Sequence, residues 1–113
     1  MDPVDVGDER GVVVRDVWGV PIRLGAERWA HVAAGHPEMR DEMGPAADTV
    51  AQPDYVLEGD SGSFMAVRFY ERTPVTRKHC VVVYRRTGVA DGFVITAYFA
   101  SSIPDWRSIV WPK

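Results

Sequence analysis

The chain of 113 residues has a single cysteine, and no apolar stretch in it approaches the length of a membrane span. One thiol, Cys80, cannot form an internal disulfide or a four-cysteine zinc site, and it makes a reducing cytoplasm the expected location. Spanning a membrane takes roughly 20 apolar residues, so no membrane association is expected. The first ten residues, MDPVDVGDER, are acidic and polar, which is unlike a secretory signal peptide.

Several patterns of common enzymes are also missing. The chain has no GxSxG motif of a serine hydrolase and no glycine-rich loop for phosphates or dinucleotides. No cofactor is therefore predicted. Cys80 lies in the apolar run HCVVVY, which favours a buried structural thiol over a nucleophile.

Two of the three histidines, His31 and His36, lie five residues apart in RWAHVAAGHPEM. Histidine pairs that bind zinc from one helix are four residues apart, because that spacing places both on one face. Five residues separate the two side chains by about 140° around a helix. Gly35 and Pro37 also interrupt the helix between them, so the sequence predicts no metal site.

The composition indicates one folded domain. The apolar content is 46%, and four Trp, four Tyr and four Phe provide large side chains for a core. We expect a flexible N-terminal tail over residues 1–10 and a single domain over residues 11–113.

The first half of the chain carries helix signals after two short β candidates. Residues 12–14 and 20–24 predict a β-hairpin. Trp29 and Val32 have helical spacing, and Gly35 is a typical residue after a helix end, so we expect a helix over residues 26–34. Proline disfavours a helical conformation for the residue before it, which predicts that His36 is extended. A further helix is expected over residues 45–52.

From residue 54 the pattern changes to β-strands. Four alternating or apolar runs are separated by short polar turns: DYVLEG, FMAVRFYER, KHCVVVYRR and GFVITAYFA. This spacing favours an antiparallel meander, and helices followed by strands indicate the α+β class.

Alternation along the strands predicts which side chains share a face. In the last run, Phe93, Ile95, Ala97 and Phe99 are expected beneath the helices, and Val94, Thr96 and Tyr98 on the opposite face. We expect one side of the sheet to offer cations and hydroxyl groups to an anionic ligand, from Arg68, Arg72, Thr96 and Tyr98.

Charge is distributed unevenly along the chain. Residues 1–63 carry 13 acidic and 5 basic side chains, whereas residues 64–113 carry 3 acidic and 8 basic ones. Six of these basic residues lie close together in the sequence: Arg68, Arg72, Arg77, Lys78, Arg85 and Arg86. They could form an anion-binding face, or they could be solubilising charges at strand edges and turns.

The residue types present suit the cleavage of RNA. The 2′-hydroxyl can attack the neighbouring phosphorus if a base, an acid and cations assist it, and histidine performs either proton transfer near neutral pH. His36 is the preferred base or acid, with His31 as its partner or as an orienting residue, and Glu38 as an orienting or capping residue. Each residue also has a structural reading, as a junction group, a half-buried histidine or an ordinary β-former.

Three segments carry a family resemblance: PIRLGAERWAHVAAGHPEM, RKHCVVVYRR and GFVITAYFA. In order and spacing they resemble the phage-type branch of the barnase–EndoU–colicin–RelE (BECR) nuclease superfamily, over roughly residues 20–100. The resemblance implies N-terminal helices packed on a four-stranded antiparallel β-sheet, here preceded by the short β-hairpin. It also implies metal-independent RNA cleavage that leaves a cyclic phosphate.

The resemblance assigns positions to a site. His31 and His36 match the histidines of the helical motif, Lys78 the basic residue before the central strand, and Thr96 and Tyr98 the closing motif. The chain's own basic residues Arg68, Arg72 and Arg85 are further candidates for binding the phosphate.

The resulting hypothesis is a toxin-type endoribonuclease whose partners are RNA and, as in toxin–antitoxin-like loci, could include a cognate antitoxin or immunity protein. One alternative is a non-catalytic BECR-like module that binds RNA or a protein. Another is a protein whose helical motif serves only packing and assembly.

Overall fold

The computed structural model describes residues 11–113, so the tail predicted at residues 1–10 lies outside the described part. The described chain forms seven strands, two α-helices and two short 3₁₀ turns. The strands are β1 (Val12–Arg15), β2 (Pro21–Leu24), β3 (Tyr55–Glu58), β4 (Phe64–Phe69), β5 (His79–Gly88), β6 (Asp91–Ala100) and β7 (Ile109–Trp111). The helices are α1 (Ala26–Gly35) and α2 (Met43–Ala51), and the 3₁₀ turns are Pro37–Met39 and Asp60–Gly62.

All seven strands belong to one mixed sheet in the order β1-β2-β6-β5-β4-β3-β7. The pair β2–β6 is parallel and the other neighbours are antiparallel. The predicted four-stranded antiparallel sheet is therefore wrong. The four predicted strands form only the middle of the sheet, because the hairpin β1–β2 joins β6 on one side and β7 pairs with β3 on the other.

The turn of the β1–β2 hairpin is organised by a buried carboxylate. One oxygen of Asp16 accepts the backbone N–H groups of Trp18 and Val20, each at 2.9 Å. The other oxygen accepts the hydroxyl of Tyr84 at 3.1 Å. A buried carboxylate is costly unless hydrogen-bonded, and these donors satisfy it. Burial, and then the charge of Asp16, raises the pKa of the Tyr84 hydroxyl far above its usual range.

Both helices pack on one face of the sheet, where the main core lies. Trp29 and Val32 of α1 are buried at helical spacing, as the sequence predicts. From α2 and the strands this core receives Ala46, Ala47, Val50, Cys80, Val82, Tyr84, Ala97 and Phe99. No helix within residues 11–113 is long and apolar enough to cross a membrane.

The opposite face of the sheet, which we call the cleft face, carries a smaller apolar cluster. Leu57, Met65, Val67 and Val81 are buried there, and Ile103 packs against them. Ile103 belongs to residues 101–108, which connect β6 to β7. The connection therefore brings part of the C-terminal segment onto the face that lacks helices.

A β-bulge in β6 decides which residues reach each face. Val83 is opposite Thr96, but the next residue, Tyr84, is opposite Val94, so Ile95 is an extra residue. Val94, not Ile95, is therefore buried in the main core. Thr96 lies on the cleft face with its partner Val83, as does Tyr98, and this part of the alternation prediction is confirmed. The prediction that Phe93 and Ile95 lie beneath the helices and Val94 on the opposite face is wrong, because the bulge reverses the alternation before Thr96.

The substitution Tyr84→Phe tests the role of the buried carboxylate. We expect it to lower the free energy of unfolding by about 1.5–3 kcal/mol, because Asp16 stays buried but loses a donor. Urea denaturation measures the loss. Tyr55→Phe is the control, since the Tyr55 hydroxyl makes no side-chain hydrogen bond within residues 11–113. Equal losses in the two variants would contradict the role given to Asp16.

Candidate functional site

The end of α1 fixes the position of His36. The helix ends at Gly35, and Pro37 keeps His36 out of the helical conformation, with φ −136° and ψ 81°. The backbone N–H of His36 still donates to the Val32 carbonyl at 2.8 Å, and its carbonyl accepts the Met39 N–H at 2.9 Å. His36 is therefore non-helical, but its ψ falls short of the extended conformation that the sequence predicts, and its backbone is hydrogen-bonded on both sides of the imidazole.

A tryptophan ties the following turn to the helix. The indole N–H of Trp29 donates to the Met39 carbonyl at 2.9 Å in the buried core. Because Trp29 lies in the middle of α1 and Met39 ends the 3₁₀ turn, this bond holds residues 36–39 against the helix. His36 therefore projects from a rigid corner.

This corner lies beside an edge of β6 that no strand of residues 11–113 occupies. β2 pairs with β6 only at Gly92 and Phe93, and beyond that point α1 and the 3₁₀ turn contact β6. The imidazole of His36 meets Tyr98 there, with ring centroids 5.5 Å apart and an interplanar angle of 31°. The His36 side chain is 40% exposed, so solvent reaches the imidazole beside Tyr98.

Glu38 is the nearest acidic neighbour of this imidazole. Its Oε2 lies 3.9 Å from Nδ1 of His36, and the Glu38 side chain is only 14% exposed. The distance is too long for a hydrogen bond. Glu38 can therefore attract a protonated His36 without fixing its tautomer.

A cavity of about 410 Å³ opens on the cleft face next to Tyr98. Its apolar floor consists of Met65, Val83 and Ile95. Polar groups line its walls: Asp60, Ser61, Ser63, Arg85, Thr96, Tyr98 and Arg107. We call this cavity the cleft. Two cations and several hydroxyl groups thus line one cleft, and the His36 imidazole packs against one of its lining residues, Tyr98.

Arg107 is the functional candidate that sequence reasoning missed. Its Nη2 lies 3.0 Å from Oδ1 of Asp60, and its Nη1 donates to the Glu58 carbonyl at 3.2 Å. Its Nε–H is buried and has no partner within residues 11–113. Arg107 lies in the connection to β7, beyond the recognisable motifs, so no periodicity in the sequence pointed to it.

Arg85 belongs to β5 and contacts the 3₁₀ turn Asp60–Gly62 at the cleft. Its Nη1 donates to the Ser61 carbonyl at 2.5 Å. Ser61 adopts a left-handed conformation, with φ 54°, which is uncommon for a residue with a side chain. Within residues 11–113, no carboxylate lies within 4.0 Å of the Arg85 guanidinium. Its remaining N–H groups and its charge are available to an anion.

Tyr98 is kept protonated at neutral pH. Burial raises the pKa of its hydroxyl, and the positive charge of Arg107 partly offsets this rise. The phenol can therefore donate a hydrogen bond into the cleft. The influence of Arg107 on Tyr98 also indicates that the two groups are close.

Arg68, in contrast, does not face the cleft. It lies directly opposite Cys80 in the β4–β5 pair, and Cys80 is buried in the main core under the helices. Its guanidinium donates to the Gln52 carbonyl at 3.0 Å and lies 5.5 Å from the Tyr70 ring. The expectation that Arg68 shares a face with Thr96 and Tyr98 is wrong, because alternation does not reveal which side the helices cover.

Lys78 and Arg72 belong to the connection between β4 and β5. The ammonium of Lys78 donates to the Glu71 carbonyl and lies 4.0 Å from the Glu71 carboxylate. Arg72 is exposed in the same connection. Neither residue lines the cleft.

His31 is also separate from the cleft. It is exposed on α1, about 160° around the helix from Trp29 and about 100° from Val32. The structure therefore places Thr96, Tyr98 and Arg85 of the predicted residues in the cleft, with Arg107 in addition, and it places His36 against Tyr98.

The remainder of the described chain contains fewer groups that could take part in a reaction. A second cavity, of about 510 Å³, lies between α1 and α2 and is lined by alanines with Trp29, Arg40 and Met43. Within residues 11–113, no cluster of three or more His, Cys, Asp or Glu side chains could hold a metal ion.

Comparison of the chain with protein families, with curated proteins and with solved structures finds no match. A function for the protein therefore rests on the geometry of the cleft and on the chemistry of its residues.

The reactivity of the Cys80 thiol tests whether this side chain is buried in solution. Burial raises the pKa of its thiol to about 11. Because the thiolate is the reactive form, we expect the native protein at pH 8 to react with an aromatic disulfide reagent at least about a hundredfold more slowly than a free thiol. The rate in denaturant is the control. Equal rates in native and unfolded protein would show that Cys80 is accessible.

Proposed function

We propose that this protein is a metal-independent endoribonuclease that cleaves RNA at the cleft. The observation that carries the proposal is the contact between the His36 imidazole and the Tyr98 phenol, 5.5 Å between ring centroids, beside two guanidinium groups. Proton-transfer groups next to cations are what an attack by a 2′-hydroxyl on a phosphodiester requires.

The proton moves from one oxygen of the substrate to another. His36 takes the proton of the 2′-hydroxyl as the 2′-oxygen forms its bond to phosphorus. The bond from phosphorus to the 5′-oxygen breaks, and this oxygen takes a proton from Tyr98. The imidazolium then returns its proton to Tyr98. The products are a 2′,3′-cyclic phosphate and a 5′-hydroxyl end, and both catalytic groups regain their starting state.

The cations act on the phosphate itself. Arg85 has no carboxylate partner within 4.0 Å among residues 11–113, and Arg107 lines the same cleft with its guanidinium paired to Asp60. Charge-assisted hydrogen bonds from guanidinium groups stabilise the negative charge that develops on the nonbridging oxygens. The hydroxyl of Thr96, in the same cleft, provides a further hydrogen bond that positions the phosphate.

The resemblance to BECR nucleases also supports the proposal. His36, Thr96 and Tyr98 match positions of its motifs, and these three residues meet at or beside the cleft. By that resemblance we propose a toxin-type enzyme that acts in the cytoplasm, with a cognate antitoxin or immunity protein as a further partner. His31 and Lys78, which also match motif positions, receive no catalytic role because they lie elsewhere.

A second candidate function is RNA binding without catalysis. It is favoured by one observation, that of the two motif histidines only His36 lies next to Tyr98. Such a module would use the same cations and would bind RNA in a salt-dependent way without producing new RNA ends. Cleavage assays separate the two candidates.

His36→Ala tests the catalytic role, with His31→Ala as the matched control. We expect His36→Ala to lower the cleavage rate of a single-stranded RNA at least about a hundredfold, because a proton-transfer group is lost. His31→Ala should cleave as the wild type does, since His31 is exposed on another surface. Both variants should keep the melting temperature nearly unchanged.

The assay is run with a chelator, and product ends are analysed for cyclic phosphate. A substrate with a 2′-deoxy residue at the cleavage site should remain intact, because it lacks the nucleophile. Full activity of His36→Ala would exclude His36 from the reaction. RNA binding without cleavage by the wild type would favour the second candidate.

Arg85→Ala and Arg68→Ala test which face of the sheet binds the phosphates. Each phosphate contact on a single strand contributes about 0.7 to the slope of log affinity against log salt concentration. Arg85→Ala should lower that slope by one such contact, and Arg68→Ala should leave it unchanged because Arg68 faces the helix side. Titration of labelled RNA at several salt concentrations measures both slopes. A larger change for Arg68→Ala would place the RNA on the other face.

A further inference from the structure

Trp106 is an exposed aromatic residue at the rim of the cleft. Its relative exposure is 72%, the largest of any aromatic residue in the described chain. Its ring centroid lies 4.3 Å from the guanidinium carbon of Arg107, and Arg107 lines the cleft. An exposed indole thus directly adjoins one of the two cations proposed to bind phosphate.

The indole of Trp106 packs against a guanidinium group that is itself held by hydrogen bonds. Arg107 is bound to Asp60 at 3.0 Å and to the Glu58 carbonyl at 3.2 Å, and its side chain is only 14% exposed. A guanidinium at this distance attracts the face of the indole ring and orients it. With one ring face against Arg107 and most of the residue exposed, the opposite ring face is open to a planar ligand.

We propose that the open face of Trp106 is a stacking site for an unpaired nucleobase of the RNA, next to the phosphate bound by Arg107 and Arg85. This inference rests on the proposed function for its substrate class. Arg107 carries the geometric argument, because the same guanidinium supports the indole and lines the cleft. A phosphate in the cleft would place its own or the adjacent base near the indole.

The stacking site also predicts that the bound RNA is single-stranded. A base inside a duplex already stacks on both sides, whereas unpaired bases can stack on aromatic side chains. The site therefore selects single-stranded segments or loops. It gives little preference among the four bases, because each base has a planar face.

Tryptophan and arginine are also common in protein interfaces, so a partner protein is the alternative ligand for Trp106. The charge of the surroundings decides between RNA and a protein. The cleft beside Trp106 contains two guanidinium groups and one carboxylate, which is paired with Arg107. Arg85 thus leaves the cleft with a net positive charge, while the exposed Asp105 precedes Trp106 in the chain. The net positive charge of the cleft favours a polyanion with planar groups over an apolar protein surface.

Trp18 provides a matched control elsewhere on the molecule. It is 40% exposed, and the guanidinium carbon of Arg86 lies 4.9 Å from its ring centroid. Arg86 also lies 4.5 Å from the Phe64 ring, and neither Trp18 nor Arg86 lines the cleft. Trp18 thus shares the exposed indole and its cation with Trp106 but has no neighbouring phosphate site.

The experiment measures binding of a short single-stranded RNA to the full chain carrying His36→Ala, so that the RNA stays intact. In this background we expect Trp106→Ala to weaken binding about tenfold, Trp106→Phe less, and Trp18→Ala less than about twofold. A set of RNAs, each lacking the base at one position, is then titrated against the proteins with and without Trp106→Ala.

At the stacked position, loss of the base should weaken binding about tenfold when Trp106 is present and should have no further effect in Trp106→Ala. At the other positions, the two proteins should respond equally. The stacking site is disproved if Trp106→Ala, folded as judged by its melting temperature, binds every RNA as tightly as its parent. It is also disproved if every missing base has the same effect in both proteins.

Cleavage by the chain with His36 intact separates this inference from the proposed function. Coupling between Trp106 and one base without any cleavage would support the stacking site and reject the nuclease. Cleavage without such coupling would support the nuclease and reject the stacking site. Failure to bind any single-stranded RNA would overturn both.

Discussion

The short parallel pair between β2 and β6 is the constraint on which the candidate site depends. Pairing stops at Phe93, so the backbone edge of β6 beyond it is contacted by α1 and the 3₁₀ turn instead of by another strand. If β2 continued along this edge, it would occupy the space through which His36 approaches Tyr98. The meeting of imidazole and phenol is thus a consequence of where a strand ends, combined with a helix whose last turn is fixed by Pro37 and by the Trp29 indole.

The two faces of the sheet have separate tasks. One face is covered by both helices and holds the main core, including the hydrogen-bonded pair of Tyr84 and Asp16. The other face is covered only in part, by residues 101–108, which carry Arg107 to the cleft. The core that stabilises the fold and the proposed site therefore lie on opposite faces of the same strands. Each strand of the central hairpin β5–β6 contributes residues to both faces.

Local patterns in the sequence predicted local structure well. The spacing of Trp29 and Val32 gave a helix that agrees with α1, and alternation correctly assigned Thr96 and Tyr98 to the face away from the helices. Pairings between distant segments carry no such local pattern, which is why a sheet of four strands was predicted where seven are found. The same limit misplaced Arg68 and left out Arg107, because both positions depend on which face the helices cover and on the path of the chain after β6.

The parallel pair also determines the order in which the site can assemble. β5 and β6 are adjacent in sequence and joined by a tight turn, whereas Ile22 must find Gly92 across most of the chain. Contacts between distant residues form slowly because a long loop has to close first. In a growing polypeptide the β5–β6 hairpin would therefore form early and bring Arg85, Thr96 and Tyr98 onto one element. Residues 36–39, which include His36, would pack against β6 last. Such a chain would lack the contact between His36 and Tyr98 until its first and last thirds had met.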